Sequence, residues 1–251
     1  MADEVKTTPE TKGPTHEKAR ALVDAIEAGK HEVPADPAPL VCKPTRIESW
    51  RVFKIMSEFV DGFELIGKYG LAATFFGSER TGEGAPMYEA ARALSGALAK
   101  KGFAIITGGA QGIMQAANQG AFEAGGQSVG LNIRLAAKQA FNKYLTDSAW
   151  FDHFFVRKVM LTYSSDVYIY FPGGFGTLDE FFEIVTLIQT AKIKRLPIVL
   201  YGKEYWTPIL ELFQKELCDK YATISQNEMD LFKVVDSLDE AYDYIVKNVT
   251  C

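Results

Sequence analysis

The sequence predicts a doubly wound α/β fold, a mostly parallel β-sheet with helices on both faces, preceded by an N-terminal helical extension. Three observations support this. From Gly70 onward, short apolar runs alternate with amphipathic stretches of helical period. The runs Ala72–Phe76, Phe103–Thr107 and Val167–Phe171 are apolar on both faces, as in a sheet covered on both sides. Each of these runs is followed by a glycine turn that leads toward a helix: Gly77-Ser78, Gly108-Gly109-Ala110-Gln111-Gly112 and Pro172-Gly173-Gly174-Phe175-Gly176.

In chain order, residues 1–45 are rich in Lys, Glu, Pro, Thr and Ala and read as a mostly disordered tail with one helix near Glu17–Ala28. Residues 46–69 form a separate segment. Within it Trp50, Phe53, Ile55, Met56, Phe59, Val60 and Phe63 recur at helical spacing, which predicts a helix over 48–66 that packs on the core or on a partner subunit. Residues 70–251 form the α/β domain. Its expected strands are Ala72–Phe76, Phe103–Thr107, Ser128–Ile133, Val167–Phe171, Pro197–Tyr201 and Phe232–Val235. Its expected helices run near Pro86–Lys101, from Gly112 to Ala124, Phe155–Ser165, Leu178–Ala191, Tyr205–Lys220 and Leu238–Val249. Residues 134–152 read as a loop of weak periodicity. Crossovers between parallel strands are right-handed, and ligands of such sheets bind beyond the carboxyl ends of the strands, where all three glycine turns fall.

Composition excludes several classes of function. The chain has 251 residues, 47% of them hydrophobic, and a net charge of −5, which gives no electrostatic basis for binding nucleic-acid polymers or membranes. Three cysteines, with no C-x-x-C, fit a reduced cytoplasmic compartment. The polar N-terminus lacks a signal core, and no apolar run reaches the roughly 18 residues of a membrane helix. Three histidines argue against a His-rich metal site.

The segment Pro172–Glu180 is the most informative. A glycine turn between a buried strand and a helix start is a natural anion site, because glycine admits close approach and the first helical N–H groups lack internal partners. Gly173, Gly174, Phe175, Gly176 and Thr177 can hold a phosphate in this way. The same residues allow another reading, a ligand-free turn in which Thr177-Leu178-Asp179-Glu180 forms a capping box. A carboxylate beside a bound phosphate is repelled, so Glu180 calls for a cation or a catalytic reason. Arg157-Lys158 reads either as a helix rim or as an anion clamp. His153 reads as a packing residue rather than a base. The G-x-G-x-x-G, Walker and G-x-S-x-G patterns are all absent.

Taken together, Phe155-Val156-Arg157-Lys158, the run Pro172–Glu180 with its P-G-G-x-G-T-x-x-E form, Thr107-Gly108-Gly109-x-x-Gly112-Ile113-Met114 and Gly77-Ser78 resemble the LONELY GUY (LOG) family, formerly labelled lysine decarboxylases. The resemblance covers roughly residues 70–245. The helix at 48–66 and Ala116-Ala117-Asn118 are similar to a longer bacterial branch. The resemblance implies a Rossmann-like fold and a 5′-monophosphate phosphoribohydrolase activity that releases free base and ribose 5-phosphate from a cytokinin nucleotide or AMP-like substrate. It also implies Arg157 and Glu180 as the catalytic pair, and substrate contacts from Lys158, Gly173–Thr177, Thr186, Gly77, Ser78, Gly108 and Gly109. It implies no metal or organic cofactor, and a homodimer or higher homo-oligomer with the site near the subunit interface. Base specificity stays open, since residues 134–152 do not follow the plant members' segment and Ala110 replaces a third glycine common among relatives. The alternative is a non-catalytic nucleotide or pterin-phosphate carrier, since molybdenum-cofactor carriers share a related glycine-rich fold. Lysine decarboxylation itself is disfavoured, because no lysine lies in a recognisable Schiff-base context.

Overall fold

The computed structural model describes residues 20–21, 24–25, 28, 49–135 and 142–249. The tail expected over 1–45, with its helix near Glu17–Ala28, lies almost wholly outside the described residues. The chain divides into two compact units, residues 1–47 and 48–251, and the second holds the entire sheet.

That unit opens with helix α1 (Ser49–Ile66) and continues β1 (Ala72–Phe76), α2 (Pro86–Lys100), β2 (Ala104–Thr107), α3 (Ile113–Glu123), β3 (Ser128–Ile133), β4 (Asp147–Phe151), α4 (Phe154–Tyr163), β5 (Val167–Tyr170), α5 (Phe175–Gln189), β6 (Ile198–Tyr201), α6 (Lys203–Leu212), β7 (Lys233–Val235) and α7 (Leu238–Asn248). A π-helical turn, Phe213–Lys220, extends α6, and a short 3₁₀ segment, Gln226–Leu231, precedes β7. The seven strands form one sheet in the order β4-β3-β2-β1-β5-β6-β7, and every neighbouring pair is parallel.

Both faces of the sheet are buried, and side chains alternate between two cores. Ala73 and Phe75 of β1, Val167 and Ile169 of β5, and Val199 of β6 point into a core shared with α2, α3 and α7. Ala72, Phe76, Tyr168, Tyr170, Ile198 and Leu200 point the other way, against α1, α4, α5 and α6. This period of two is why the strands read as continuous apolar runs.

Two elements depart from the sequence reading. Residues 134–152 hold an edge strand, β4, paired with β3 from Val129↔Asp147 to Ile133↔Phe151. Its start, Asp147-Ser148-Ala149, lacks the β-branched signature of a strand, and one edge is unpaired, so little in its composition marks it. Helix α1 packs only part of its apolar set, Ile55 and Phe59, on the core. Its buried residues are Glu58, Gly62, Leu65 and Ile66, whereas Trp50, Phe53, Met56, Val60 and Phe63 are exposed.

The order of strands fixes where a ligand can bind. Connections run outward from β1 to β4 on one side and from β5 to β7 on the other, so β1 and β5 are the central pair at which the winding reverses. The crevice beyond their carboxyl ends is the binding position of this architecture.

Candidate active site

Three loops meet at that crevice. The Ser78 N–H donates to Pro172 O (3.0 Å), which ties the loop after β1 to the loop after β5. The Ile113 N–H donates to Ser78 O (3.0 Å), which brings in the loop after β2. Thr107 orders that loop from within, since its hydroxyl accepts the Gly109 N–H (2.9 Å) and donates to Asn118 Oδ1 (2.6 Å). Gly112 has φ of +69°, and a Cβ there would collide with the Ser78 carbonyl, so glycine is required on two grounds.

Helix α5 starts at Phe175, earlier than the sequence reading placed it. Its N-cap is Gly174, with no side-chain cap. Thr177 is therefore the third helical residue, and the capping box Thr177–Glu180 does not form. The Thr177 side chain instead packs over Gly173, where a Cβ would overlap it. The N–H groups of Phe175, Gly176 and Thr177 precede the first helical hydrogen bond, Leu178 N–H to Gly174 O (3.1 Å), and remain available to an acceptor. A Cβ at Gly174 or Gly176 would meet no atom within 4 Å, so this rim is open, and Phe175 projects from it 94% exposed. The Tyr205 hydroxyl of α6 braces the loop by donating to Gly173 O (2.6 Å).

The charged groups converge from α4 and α5. Arg157 lies half-buried over the second glycine loop, with Nη1 3.5 Å from where a Cβ at Gly108 would be. Its guanidinium stacks on the Phe154 ring at 5.4 Å. Burial pulls the Arg157 pKa down and the Glu180 charge works against that pull; guanidinium nevertheless stays protonated in proteins. Lys158 pairs with Asp179 (2.7 Å) and Glu183 (3.2 Å) across the helix pair. Burial opposes the Lys158 charge, but the bonds to Asp179 and Glu183 outweigh it and the net shift is upward.

Glu180 is 6% exposed. Burial drives its carboxyl up to about 7, against the pull of Lys158 and Arg157 and with help from the negative charges of Glu183 and Asp179. Its Oε2 and the Nε of Arg157 are buried polar atoms with no hydrogen-bond partner among the described residues. Each such atom costs about 1–3 kcal/mol. A buried carboxyl shifted toward neutrality beside a cation, each with an unpaired buried polar atom, makes this pair a candidate reaction centre.

Gly77, Ser78, Gly108, Gly109, Arg157, Lys158, Gly173, Gly174, Phe175, Gly176, Thr177 and Glu180 thus belong to three joined loops and two facing helix segments. Thr186 does not join them. It is exposed and follows Glu180 by six residues, about 9 Å along the axis and on another face of α5. Its carbonyl accepts from the Thr190 N–H (2.9 Å) and hydroxyl (2.7 Å). Sequence reasoning missed Asp179 and Glu183 as partners of Lys158, although their i,i+4 spacing on a helix signals a shared face. It also missed Tyr205, for which no local signal exists.

The chain is similar to known proteins in sequence and in fold. The chain is 26% identical over 155 residues to the cytokinin riboside 5′-monophosphate phosphoribohydrolase of Rhodococcoides fascians, covering 61% of this chain and 78% of that protein. It is 29% identical over 162 residues to the protein of the same name from Mycobacterium marinum, covering 62% and 83%. Among solved structures, the molybdenum cofactor carrier protein of Chlamydomonas reinhardtii superposes with a TM-score of 0.53 at 22% identity, covering 70% of this chain and 96% of that one, which shows a common fold. The profile of the family described as "Possible lysine decarboxylase" matches residues 114–245, just over half of the chain. That span holds Arg157, Lys158 and the whole P-G-G-x-G-T-x-x-E segment, and by it the chain belongs to this family, the LOG family.

Proposed function

We propose that this protein is a nucleoside 5′-monophosphate phosphoribohydrolase. The observation that carries the proposal is the buried Glu180 carboxyl, pushed up to about 7 and with Oε2 unpartnered, beside the half-buried Arg157 and one turn inside an uncapped helix N-terminus. The names of the curated relatives support the same reaction.

In this reaction the N-terminus of α5 and Arg157 bind the 5′-phosphate, whose binding energy fixes the ribose. As the C1′–N bond breaks, its electron pair leaves with the base and positive charge builds on the ribose. Ionised Glu180 stabilises that charge and takes a proton from the attacking water as the new C1′–O bond forms. The proton then passes to the departing base, giving free base and ribose 5-phosphate. A carboxyl titrating near 7 can both accept and return this proton at neutral pH. Lys158, held by Asp179 and Glu183, supplies positive charge at the rim of the site.

Self-association fits the same surface. Exposed Trp50, Phe53, Met56, Val60 and Phe63 of α1 run on to exposed Tyr163 of α4, with the Phe63 and Tyr163 rings 6.4 Å apart. Phe154 and Phe155, at the start of the helix that bears Arg157, are exposed as well. A second copy docked on this apolar surface gives a homodimer with the site near its interface.

Incubation with a panel of nucleoside 5′-monophosphates, with products identified by mass spectrometry, tests the proposal. Release of a free base together with ribose 5-phosphate is expected. Tight binding of intact nucleotide with no base released from any of them overturns it in favour of a carrier.

A further inference from the structure

Helix α4 carries Arg157 in its first turn, yet it starts without any of the usual stabilisers. Its N-cap is His153, which makes no side-chain cap, and no acidic residue lies in the first turn. The missing carboxylate comes instead from α1, ninety-five residues earlier in sequence. Glu58 Oε2 accepts the His153 backbone N–H (3.2 Å), and Oε1 lies 3.0 Å from His153 Nδ1. Both side chains are nearly buried, at 9% and 11% exposure. The next helical link, Arg157 N–H to His153 O (3.3 Å), passes this anchor directly to Arg157.

The packing around this pair is close. Gly62, one turn beyond Glu58, leaves no room for a side chain, since a Cβ there would approach Met160 Sδ of α4 to 2.5 Å and Phe151 Cε1 of β4 to 3.2 Å. Lys54, one turn before Glu58, pairs with Asp152, which also meets Arg134 at 3.3 Å. At the far end Lys68 and the Tyr69 hydroxyl meet Asp147 of β4 at 2.9 and 3.2 Å. Glu58, Gly62 and the flanking polar contacts of α1 therefore follow the β4–α4 junction, while Trp50, Phe53, Met56, Val60 and Phe63 are left outside.

We infer that Glu58 is a positioning residue for the active site, a carboxylate supplied by the N-terminal helix that caps α4 and holds Arg157 over the second glycine loop. A carboxylate at a helix N-terminus satisfies an N–H donor and complements the helix dipole. Misplacing a catalytic group by about 1 Å costs up to about a hundredfold in rate. The role is not covered by the family profile, whose match begins at residue 114. The kinetic part of the inference rests on the hydrolase proposal; the structural part does not.

The test compares Glu58→Ala and Glu58→Gln with the wild type in the full chain, by hydrogen exchange and by steady-state kinetics. Glutamine can keep both hydrogen bonds, accepting from the His153 N–H and donating to Nδ1 in the other tautomer, while losing the charge. Glu58→Ala is expected to speed amide exchange across residues 154–157 and to lower kcat per folded molecule about tenfold to a hundredfold. Glu58→Gln is expected to restore most of both. Unchanged exchange at 154–157 in Glu58→Ala, or unchanged kcat with only a lower Tm, overturns the inference. If the wild type releases no base from any nucleotide, the hydrolase proposal falls by itself, and the exchange comparison still decides whether Glu58 anchors α4.

Discussion

In the proposed reaction Glu180 carries the proton transfer, and the upward shift of its carboxyl gives two predictions of opposite practical sign. Its carboxyl titrates near 7 when folded and near 4.5 otherwise. The folded protein therefore holds a proton that the unfolded chain releases between these values. The stabilising contribution of the neutral form is complete below about pH 4.5 and is lost as pH rises through about 7. Glu180→Gln mimics the neutral form. It is expected to be more stable than wild type at pH 8 by up to about 3 kcal/mol, with the two converging near pH 4 in urea denaturation. Activity moves the other way. With ionised Glu180 as base, kcat/KM of the wild type rises from pH 6 to 8 with a midpoint near 7. Glu180→Gln loses that limb, and its kcat falls by about 10²–10⁴-fold. Equal pH–rate profiles in the two proteins would remove Glu180 from the proton transfer. The identity of this residue was legible in the sequence because its position in P-G-G-x-G-T-x-x-E is tied to the turn. Its elevated pKa was not, since it depends on burial against residues of other elements. Arg157 was legible in a more limited sense: the residues left it between rim and clamp, and its place over Gly108 depends on another element that its own segment does not specify.

At the level of elements, the strands and glycine turns could be read locally because a strand buried on both faces and a turn before a helix each carry their own composition. Helix starts were less legible. The chain enters α5 at Phe175 on glycine conformations alone, so the Thr177–Glu180 pattern pointed to the wrong residue. That start yields a contrast between two neighbouring glycines. Gly173→Ala drives a methyl group into Thr177 and is expected to destabilise the protein by about 1–3 kcal/mol, read as a lower Tm. Gly176→Ala meets open space inside a helix and is expected to hold or raise Tm, since alanine is the better helix former. If a phosphate uses the open N–H rim, the same methyl obstructs it, and KM for the nucleotide rises at least about tenfold, the equivalent of one charge-assisted hydrogen bond. An unchanged KM in Gly176→Ala would place the phosphate elsewhere. Strand β4 and the orientation of α1 were not legible, for a common reason. Both are defined by what they pack against: β4 by pairing with β3, and α1 by Glu58, Gly62 and Leu65 meeting α4 and β4.

For the whole molecule, the parallel order β4-β3-β2-β1-β5-β6-β7 places three distant loops at one crevice, which no single segment specifies. It also leaves α1 as the outer layer beside α4, with its larger apolar residues exposed. A helix normally buries its apolar stripe and exposes charge. Here Trp50, Phe53, Met56, Val60 and Phe63 lie outside, at positions that make few demands on the fold of one chain, so their loss should separate assembly from folding. Replacing Trp50, Phe53 and Met56 together by serine is expected to leave Tm within a few degrees of wild type, because these side chains are already exposed in the single chain. If the surface pairs two copies, sedimentation velocity will show the wild type as a dimer or larger and the variant shifted toward monomer. The shift should grow on dilution, as mass action requires. Dimerisation next to α4 also predicts that kcat of the variant falls as it dissociates, since Phe154 and Phe155 precede Arg157 on the same helix. A variant that sediments as the wild type does would remove this face from the assembly.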